Sequence, residues 1–372
     1  MCVHSAMPRA FSRIFLLQSR DIFRNLAFEA CLHLDREKTR QAGRTTDLLL
    51  WRSNPCVVIG RFQSSWKECC VELLHENGWS LARRQSGGGA VYHDTNNLNI
   101  SFMTSRQELD RQKCMEFLQD TLQTLHPTKL FHVGERYDLW LADNENSKPS
   151  KISGSSSRLG SNAAYHHCTL LCNSNLSNLS AVLSSTFKTL QTKATASVRS
   201  PVVNLDVDVE KVQEVIVESW IACLAHKHEG SPEPLIIRIS EGCEQEHVDA
   251  ARFTRTLSEF QSWSWINGAS PAFQLDLSEF EPKLSRFGLF RLDCGRGGVV
   301  QSVSLSEQTV EDGRFQGYVN ALSTALAGME CRRYAWYGPL DQFCAQWLYQ
   351  HAEWRNEYEL LVNSLRRLSD RF

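Results

Sequence analysis

Residues 83–94 read Arg83-Arg84-Gln85-Ser86-Gly87-Gly88-Gly89-Ala90-Val91-Tyr92-His93-Asp94, and this stretch decides how the rest of the chain is interpreted. Three consecutive glycines permit φ > 0 and close backbone approach, so their N–H groups can converge on an oxyanion. Arg84 adds a planar charged group suited to phosphate or carboxylate. No Gly-Lys-Ser/Thr follows, so the segment is not a P-loop. The pattern predicts a loop that holds an acyl phosphate. A plain tight turn remains the alternative, and His93 is either a hydrogen-bonded loop histidine or a substrate contact.

A second short motif is Lys151-Ile152-Ser153-Gly154, which follows a polar loop at residues 143–150. A lysine beside Ser and Gly can neutralise a phosphate and a developing carbonyl oxyanion together, which is electrostatic catalysis of acyl transfer. The alternative is an ordinary exposed loop lysine. The motif predicts Lys151 as the catalytic residue only in combination with the glycine-rich stretch.

Residues 165–172 read as a strand, which places His167 and Thr169 on one face, towards the predicted site. A zinc site built from His167, Cys168 and Cys172 is disfavoured, because adjacent residues on a strand diverge and no second cysteine pair stands at ligand spacing. We therefore predict that the chain holds no metal ligand set.

Length and composition limit the classes of protein to which this chain can belong. The chain has 372 residues, 42% of them hydrophobic, and a formal net charge of −2. This length favours two domains, and the charge argues against nucleic-acid binding. No run approaches the ~20 apolar residues of a membrane span. The 13 cysteines are scattered and often lie in apolar runs, which predicts reduced, buried thiols.

The first twenty residues are rich in Arg, contain no acidic residue and intersperse Phe, Ile and Leu. This pattern is typical of a mitochondrial presequence and predicts one at residues 1–20. An ordinary first strand beginning near Arg13 is the alternative.

Periodicity predicts mixed α and β structure, with strands at Asp47–Trp51 and Cys56–Ile59 and a helix at Arg111–Leu125. Residues 262–271 (SWSWINGASP) combine aromatics with Gly, Ser and Pro and mark a domain boundary. Three short strands and two helices follow, the second helix at Asp341–Leu365. They predict a small α+β module.

The motifs together resemble the lipoate-protein ligase family and occur in that family's order. They are Leu50-Trp51-Arg52, residues 57–63 (VVIGRFQ), RRQSGGGAVYHD, KISG, residues 166–179 (HHCTLLCNSNLSNL) and residues 197–205 (SVRSPVVNL). The start of the chain, GERYDLWL and HHCTLLC are most similar to the animal mitochondrial lipoyltransferases. The resemblance implies an α/β (α+β) fold: a biotin/lipoate protein ligase-like catalytic domain with a mixed sheet at residues 21–262 and a C-terminal accessory domain at residues 270–372.

The resemblance also implies that lipoyl-AMP binds in a bent shape against the glycine-rich loop, with Lys151 at the acyl carbonyl and phosphate. Two departures, Tyr137 in place of Asn and Ser155-Ser156-Ser157 in place of an Ala-bearing stretch, argue against efficient nucleotide activation. The implied lipoyl-AMP-binding residues are Arg84, Ser86, Gly87, Gly88, Gly89, Ala90, Val91, Tyr92, His93, Arg136, Asp138, His167, Thr169, Ala196 and Val198.

The activity that the resemblance implies is transfer of a lipoyl group, from lipoyl-AMP or from the glycine-cleavage H protein, to a lysine of the lipoyl domains of 2-oxoacid dehydrogenase acyltransferase subunits. Mg²⁺ and ATP are required only if activation is retained. We expect a monomer in the mitochondrial matrix that binds neither nucleic acid nor membrane. The alternatives are a full ATP-dependent ligase, carrier-to-acceptor exchange through a histidine or through Cys69, Cys168 or Cys172, and a non-enzymatic binding module.

Overall fold

The computed structural model describes residues 12–38, 45–185, 187–227, 233–306, 313–350 and 355–372. The strands, in chain order, are β1 (Arg13–Leu17), β2 (Asp47–Trp51), β3 (Cys56–Ile59), β4 (Ser80–Arg83), β5 (Val91–His93), β6 (Asn97–Ser105), β7 (Leu130–Val133), β8 (Leu139–Ala142), β9 (Ser150–Lys151), β10 (Ser155–Leu159), β11 (Ala163–Leu171), β12 (Gln191–Thr192), β13 (Leu235–Ile239), β14 (Phe273–Asp276), β15 (Leu289–Gly295) and β16 (Val299–Ser306). The α-helices are α1 (Ile22–Lys38), α2 (Ser65–Glu68), α3 (Val71–Glu76), α4 (Arg111–Leu125), α5 (Leu176–Val182), α6 (Val209–Lys227), α7 (Ala250–Gln261), α8 (Trp263–Ile266), α9 (Gly313–Leu326), α10 (Tyr337–Gln350) and α11 (Arg355–Arg371). Short 3-10 helices lie at Glu244–Glu246, Leu277–Glu279 and Pro282–Phe287. Within the described ranges, no helix combines the length and apolarity that crossing a membrane requires.

A mixed six-stranded sheet, in the order β10-β11-β6-β2-β1-β13, forms the centre of the fold. β1 runs parallel to β2 and β13, whereas β6 is antiparallel to β2 and β11. Leu48 and Leu50 pack with α4 and α6 on one face, and Leu49 and Trp51 pack with α1 and α7 on the other. Because helices cover both faces, β2 is buried at every position and reads as a continuous apolar run. The predicted mixed α/β class is confirmed.

β1 is an inner strand of this sheet. Ile14 and Phe15 each pair with β2 on one side and with β13 on the other, and both are buried. The alternative of a first strand beginning near Arg13 is therefore confirmed for Arg13–Leu17, whereas the presequence at residues 1–20 stays a prediction, because strand pairing does not test targeting. The rest of the targeting prediction, at residues 1–11, lies outside the described residues.

Two three-stranded sheets carry the sequence motifs. In the order β4-β3-β5, the first sheet places the glycine-rich stretch in the connection from β4 to β5. In the order β7-β8-β9, the second sheet pairs Lys151 on β9 with Trp140 on β8. The residue that follows β9, Ile152, bonds to Leu171 of β11. Residues of both motifs line one cavity, which is described below.

The C-terminal part is a four-stranded antiparallel sheet, β12-β14-β15-β16, with α9, α10 and α11. Its edge strand β12 comes from residues 191–192, far before the predicted domain boundary. One hydrophobic core continues from the β3 sheet into this module: the Trp66 ring lies 5.0 Å from Phe273 and 5.6 Å from Phe372. The accessory module thus packs directly on the catalytic part.

The single helix predicted at Asp341–Leu365 is wrong. The structure shows α10 and α11 packed against each other, with the Tyr337 hydroxyl donating to Asp370 at 2.8 Å and Arg366 paired with Asp341. In one continuous helix, Tyr337 and Asp370 would lie on the order of 50 Å apart. Apolar periodicity alone does not reveal a reversal of chain direction.

Candidate active site

The loop at residues 84–90, here called the Gly loop, joins β4 to β5 and is packed from both sides. A Cβ on Gly60, which follows β3, would stand 2.1 Å from the carbonyl oxygen of Gly88. A Cβ on Gly89 would lie 3.0 Å from Ser197 Oγ on the other side. Gly88 has a φ of 84°, which only glycine adopts without strain. Close approach thus accounts for Gly60 and Gly89 and the positive φ for Gly88, whereas a Cβ on Gly87 would meet nothing within 4 Å.

Arg84 directs its guanidinium at neighbouring groups of the protein. Nε donates to Ser86 Oγ at 3.0 Å, Nη1 to the Val58 carbonyl at 3.1 Å, and Nη2 to the carbonyls of Gly87 at 2.6 Å and Gly89 at 2.7 Å. Burial lowers the pKa of Arg84 to about 10. Arg84 also lines the cavity described below. Its observed role, holding the Gly loop in shape, was not predicted from the sequence.

Lys151 forms an ion pair with Asp138. Nζ lies 2.7 Å from Oδ2 of Asp138, whose other oxygen accepts from the Ser155 amide at 3.1 Å. The Lys151 amide donates to the Pro201 carbonyl, and the Lys151 carbonyl accepts from the Val203 amide. The lysine is therefore held from both flanks, and its side chain is only 19% exposed. The alternative of an ordinary exposed loop lysine is wrong.

β11 presents His167 and Thr169 on one face, as predicted. Both are half-buried, while the residues between and around them are buried in the core. Thr169 Oγ1 accepts from the Gly154 amide at 3.0 Å, which fixes the end of the Lys151 motif against β11. Cys168 and Cys172 belong to the opposite core, so they do not converge with His167 on a metal site.

A hydrogen-bonded chain runs from α1 to the Gly loop through His167. Glu29 Oε1 accepts from Ser101 Oγ at 2.5 Å and lies 3.0 Å from His167 Nδ1, while His167 Nε2 lies 2.8 Å from Ser86 Oγ. Burial alone would raise the pKa of Glu29, but the adjacent imidazole and the Ser101 hydroxyl lower it below its ordinary value. The carboxylate is therefore ionised and receives the Nδ1 proton, which leaves Nε2 to accept from Ser86. Sequence reasoning missed Glu29 and Ser101, because no local pattern marks them.

Two cavities meet at Lys151. The first, of about 120 Å³, extends from the Gly loop to the apolar side chains Leu26, Trp51 and Val58. The second, of about 590 Å³, lies beside α5, a volume typical of small-molecule sites (roughly 300–1,000 Å³). Both are lined by Ala90, Val91, Lys151, Gly154, Thr169, Ser197 and Val198.

The structure brings most of the predicted site residues together on these cavities. Ser86 and Gly87 do not belong to either lining, and Ser86 is buried within the Gly loop with 1% exposure. Those that line the first cavity are Arg84, Gly88, Gly89, Ala90, Val91, His93, Arg136, Asp138, Lys151, His167, Thr169 and Val198. The second cavity adds Tyr92 and Ala196.

Comparison with known proteins is decisive at this point. Residues 21–225 match the family described as the lipoyl protein ligase A/B catalytic domain. The chain belongs to this family. It is 36% identical to the mitochondrial lipoyl amidotransferase of Mus musculus over 289 residues, 76% of this chain and 74% of that protein. It is 34% identical to the Homo sapiens protein of the same name over 261 residues, 70% of this chain and 66% of that one.

Solved structures of lipoyl protein ligases show the same fold. A bipartite lipoate protein ligase from Thermoplasma acidophilum aligns with a TM-score of 0.54 and 23% identity, over 70% of this chain and 97% of that one. P. falciparum LipL1, solved in complex with lipoate, aligns with a TM-score of 0.56 and 18% identity, over 89% and 94% of the two chains. The predicted lipoate-protein ligase fold is confirmed.

Ser197, the first residue of the motif at residues 197–205, makes contacts at the site that were not predicted. Its Oγ accepts from the Ala90 amide at 2.9 Å and from Gln63 Nε2 at 3.1 Å, and it donates to Glu68. One hydroxyl thus ties the Gly loop to the segment that borders the second cavity. Ala196 and Val198 were predicted at the site, but the residue between them makes the contact.

The three cysteines considered above as nucleophiles, Cys69, Cys168 and Cys172, are buried. None of the twelve cysteines within the described ranges forms a disulfide bond. Burial raises the pKa of the Cys69 and Cys168 thiols far above the ordinary value and raises that of Cys172 to about 12. Because the thiolate is the reactive form, acyl exchange through these three cysteines is disfavoured.

His93 lies at the first cavity with no hydrogen-bond partner on either ring nitrogen among the described residues. Burial lowers its pKa to about 3, so the ring is neutral at physiological pH. Its ring lies edge-on to Trp51 at 5.6 Å. The hydrogen-bonded-loop alternative is therefore wrong, and the residue borders the first cavity with both ring nitrogens buried.

Acid should destabilise the fold through His93 and His166, whose pKa values burial lowers to about 3. An unfolded histidine titrates near 6.5, so below that pH the unfolded chain binds more protons and the free energy of unfolding falls. We expect a loss of on the order of 2 kcal/mol per histidine between about pH 6.5 and 5. Urea titrations at both pH values measure it. The side chain of His93→Gln cannot titrate, so the fall in the free energy of unfolding between the two pH values should be about half that of wild-type. An equal fall in the variant and wild-type would contradict the assignment.

Proposed function

We propose that this protein transfers an activated lipoyl group to a specific lysine of the lipoyl domains of 2-oxoacid dehydrogenase acyltransferase subunits, with lipoyl-AMP or the lipoylated glycine-cleavage H protein as donor. The observation that carries the proposal is the Lys151–Asp138 pair at the junction of the two cavities. The names of the mouse and human relatives, both mitochondrial lipoyl amidotransferases, support it.

A bent acyl-nucleotide fits this arrangement. The lipoyl chain lies in the first cavity against Leu26, Trp51 and Val58, and the nucleotide lies in the second cavity beside Ala196. The acyl phosphate then lies at Lys151, which lines both cavities. Apolar walls suit an aliphatic chain, and an ammonium suits a phosphate that carries the leaving group's charge.

The chemistry needs positioning and charge stabilisation rather than a covalent enzyme intermediate, because AMP is a good leaving group. Lys151 Nζ stabilises the developing oxyanion and phosphate, and Asp138 holds Nζ in place. The Gly loop presents its backbone to the acyl group, and Arg84 fixes the loop's shape. Mg²⁺ and ATP belong to the reaction only if the enzyme also activates free lipoate.

The relatives' names place those proteins in mitochondria, which supports the same location for this protein, with the matrix as compartment. We propose that it acts as a monomer on protein partners, without nucleic acid or membrane.

Full ligation of free lipoate is the second candidate, favoured by family membership. Exchange through a cysteine nucleophile lacks a reactive thiol among Cys69, Cys168 and Cys172. A protein that only binds the acyl-nucleotide would not need a lysine held in position where the two cavities meet.

The deciding experiment is mass spectrometry of an unlipoylated acceptor domain incubated with the enzyme and lipoyl-AMP. Parallel reactions contain free lipoate with ATP and Mg²⁺, or the lipoylated H protein, and a control acceptor has its lysine replaced by arginine. We expect a lipoyl-sized mass gain from lipoyl-AMP or from the H protein, and none on the control. A gain from free lipoate would make the enzyme a ligase, whereas no gain from any donor would overturn the proposal.

A further inference from the structure

The acceptor lysine must lose a proton during transfer. A lysine side chain has a pKa near 10.4, so about one in several hundred is the neutral nucleophile near pH 8. When the nitrogen of the neutral amine bonds to the acyl carbon, it still carries a proton too many. A group beside the acyl carbon that accepts this proton would therefore speed transfer by typically 10²–10⁴-fold.

Most titratable groups on the first cavity are unsuited to this role. Lys151 and Asp138 are paired with each other. Arg84 is a bound cation, and His93, with a pKa of about 3, holds a proton too weakly at physiological pH. His167 differs, because it has an ionised carboxylate behind it and a ring nitrogen with a lone pair.

The geometry around His167 is that of an oriented base. β11 pairs with β6 so that His167 lies opposite Ser101, and Glu29 of α1 bonds to both side chains. Glu29 thereby fixes the tautomer with the proton on Nδ1. It also stabilises the imidazolium that forms when Nε2 takes a second proton, which is the role of the carboxylate in acid–histidine pairs. Nε2 is held 2.8 Å from Ser86 Oγ, and the ring lines the first cavity.

We propose that His167, oriented by Glu29, accepts the proton that the acceptor lysine loses, a role that rests on the transfer proposed above. The amine nitrogen bonds to the lipoyl carbonyl carbon, the bond from that carbon to the phosphate oxygen breaks, and AMP leaves with the electron pair. The proton of the amine passes to Nε2, where it replaces the hydrogen bond from Ser86. His167 is thus a catalytic residue, and Glu29 is its positioning residue.

The inference makes transfer depend on pH in a defined way. Without a base at this position the amine's proton must pass to hydroxide, so removing His167 changes how the rate of transfer depends on pH. The titratable or charged groups that surround it are Glu29 and His33 on α1, Arg84 beside β4, His93 on β5, Arg158 on β10, Tyr165 and His166 on β11, and Asp138 and Lys151 on the second small sheet. None of the three other histidines has a pKa raised by its surroundings.

Single-turnover transfer from lipoyl-AMP to an acceptor domain, followed from about pH 6 to 9.5, tests the inference. We expect His167→Asn to be about 10²-fold slower than wild-type near pH 7.5. Without this base, hydroxide must accept the proton, and its concentration rises tenfold per pH unit, so the gap to wild-type should narrow to under about tenfold at the alkaline end. Glu29→Gln should show a smaller deficit with the same narrowing. Calorimetric binding of lipoyl-AMP should survive in both variants.

His166→Asn is the matched control, because His166 lies on the opposite face of β11 and bonds to Ser157 instead. Its rate profile should keep the wild-type shape. A His167→Asn rate profile parallel to that of wild-type at every pH would overturn the inference while leaving lipoyl transfer intact. A wild-type enzyme that shows no transfer at any pH would instead overturn the proposed function on which the inference rests. Ser86→Ala should retain transfer within about tenfold, since the base survives. If a lipoyl ester on Ser86 were trapped in the wild-type enzyme, transfer would proceed through an acyl-enzyme. The proposal that His167 accepts the proton of the acceptor lysine would then be overturned.

Discussion

Lys151→Ala should lower the rate of lipoyl transfer by about 10³-fold, to background, while the protein stays folded. Removing a preorganised charge that stabilises a developing oxyanion costs about 10²–10³-fold by itself. The substitution also leaves the Asp138 carboxylate, 7% exposed, without its cation beside an anionic phosphate. Mass spectrometry of the acceptor domain measures the rate, and circular dichroism confirms the fold.

Lys129→Ala is a matched control for this prediction. Lys129 also pairs with an aspartate, Asp143, but both side chains are exposed and lie outside the linings of the two cavities. An exposed ion pair contributes about 0–1 kcal/mol, so stability and transfer should both stay near wild-type. Equal losses in the two variants, or a normal rate in Lys151→Ala, would sink the assignment of Lys151.

Gly60→Ala should have the second-largest effect. Its Cβ would stand 2.1 Å from the Gly88 carbonyl oxygen and 3.1 Å from the carbonyl group of Gly87, and these are backbone atoms that cannot rotate away. The Gly loop must therefore move, although Arg84 holds the carbonyls of Gly87 and Gly89. We expect a destabilisation of about 1–3 kcal/mol from overpacking and a loss of about 10²-fold in transfer, because the acyl group is misplaced.

Gly317→Ala separates this local clash from a general effect of replacing glycine. Gly317 lies in α9, and a Cβ there would meet nothing within 4 Å. Since alanine favours a helix over glycine by roughly 1 kcal/mol, this control should be neutral or slightly more stable. Urea unfolding and transfer rates of both variants are the measurements. A Gly60→Ala enzyme with wild-type rates would show that the Gly loop does not need its observed position.

Local patterns identified the site's backbone well but its hydrogen bonding poorly. The glycine-rich stretch indicated close backbone approach, and the alternation of β11 placed His167 and Thr169 on one face. Arg84, by contrast, was expected to bind a phosphate directly and instead bonds to its own loop. Whether a buried guanidinium meets a ligand or a carbonyl depends on neighbours that the local sequence does not specify.

Arg83 shows the same limit at the edge of the accessory module. Its guanidinium is fully buried and donates to the carbonyls of Gln63 at 2.7 Å and Ile266 at 2.7 Å, while its own carbonyl accepts from Trp265 Nε1 at 2.7 Å. It thus joins the start of the Gly loop to the predicted domain boundary. The sequence of two adjacent arginines does not show that one of them bonds across to the edge of the accessory module.

The sequence by itself determined the family and several local elements: the apolar run of β2, the helix Arg111–Leu125 and the Gly loop follow from side-chain size, burial and backbone freedom within a few residues. Only the tertiary structure decided that Glu29, Ser86 and His167 form one hydrogen-bonded chain. Positions 29 and 167 are 138 residues apart, and they meet because the β6–β11 register places His167 opposite Ser101 beneath α1. Hydrogen bonds act over about 3 Å, so which partners meet is known only once distant segments have packed.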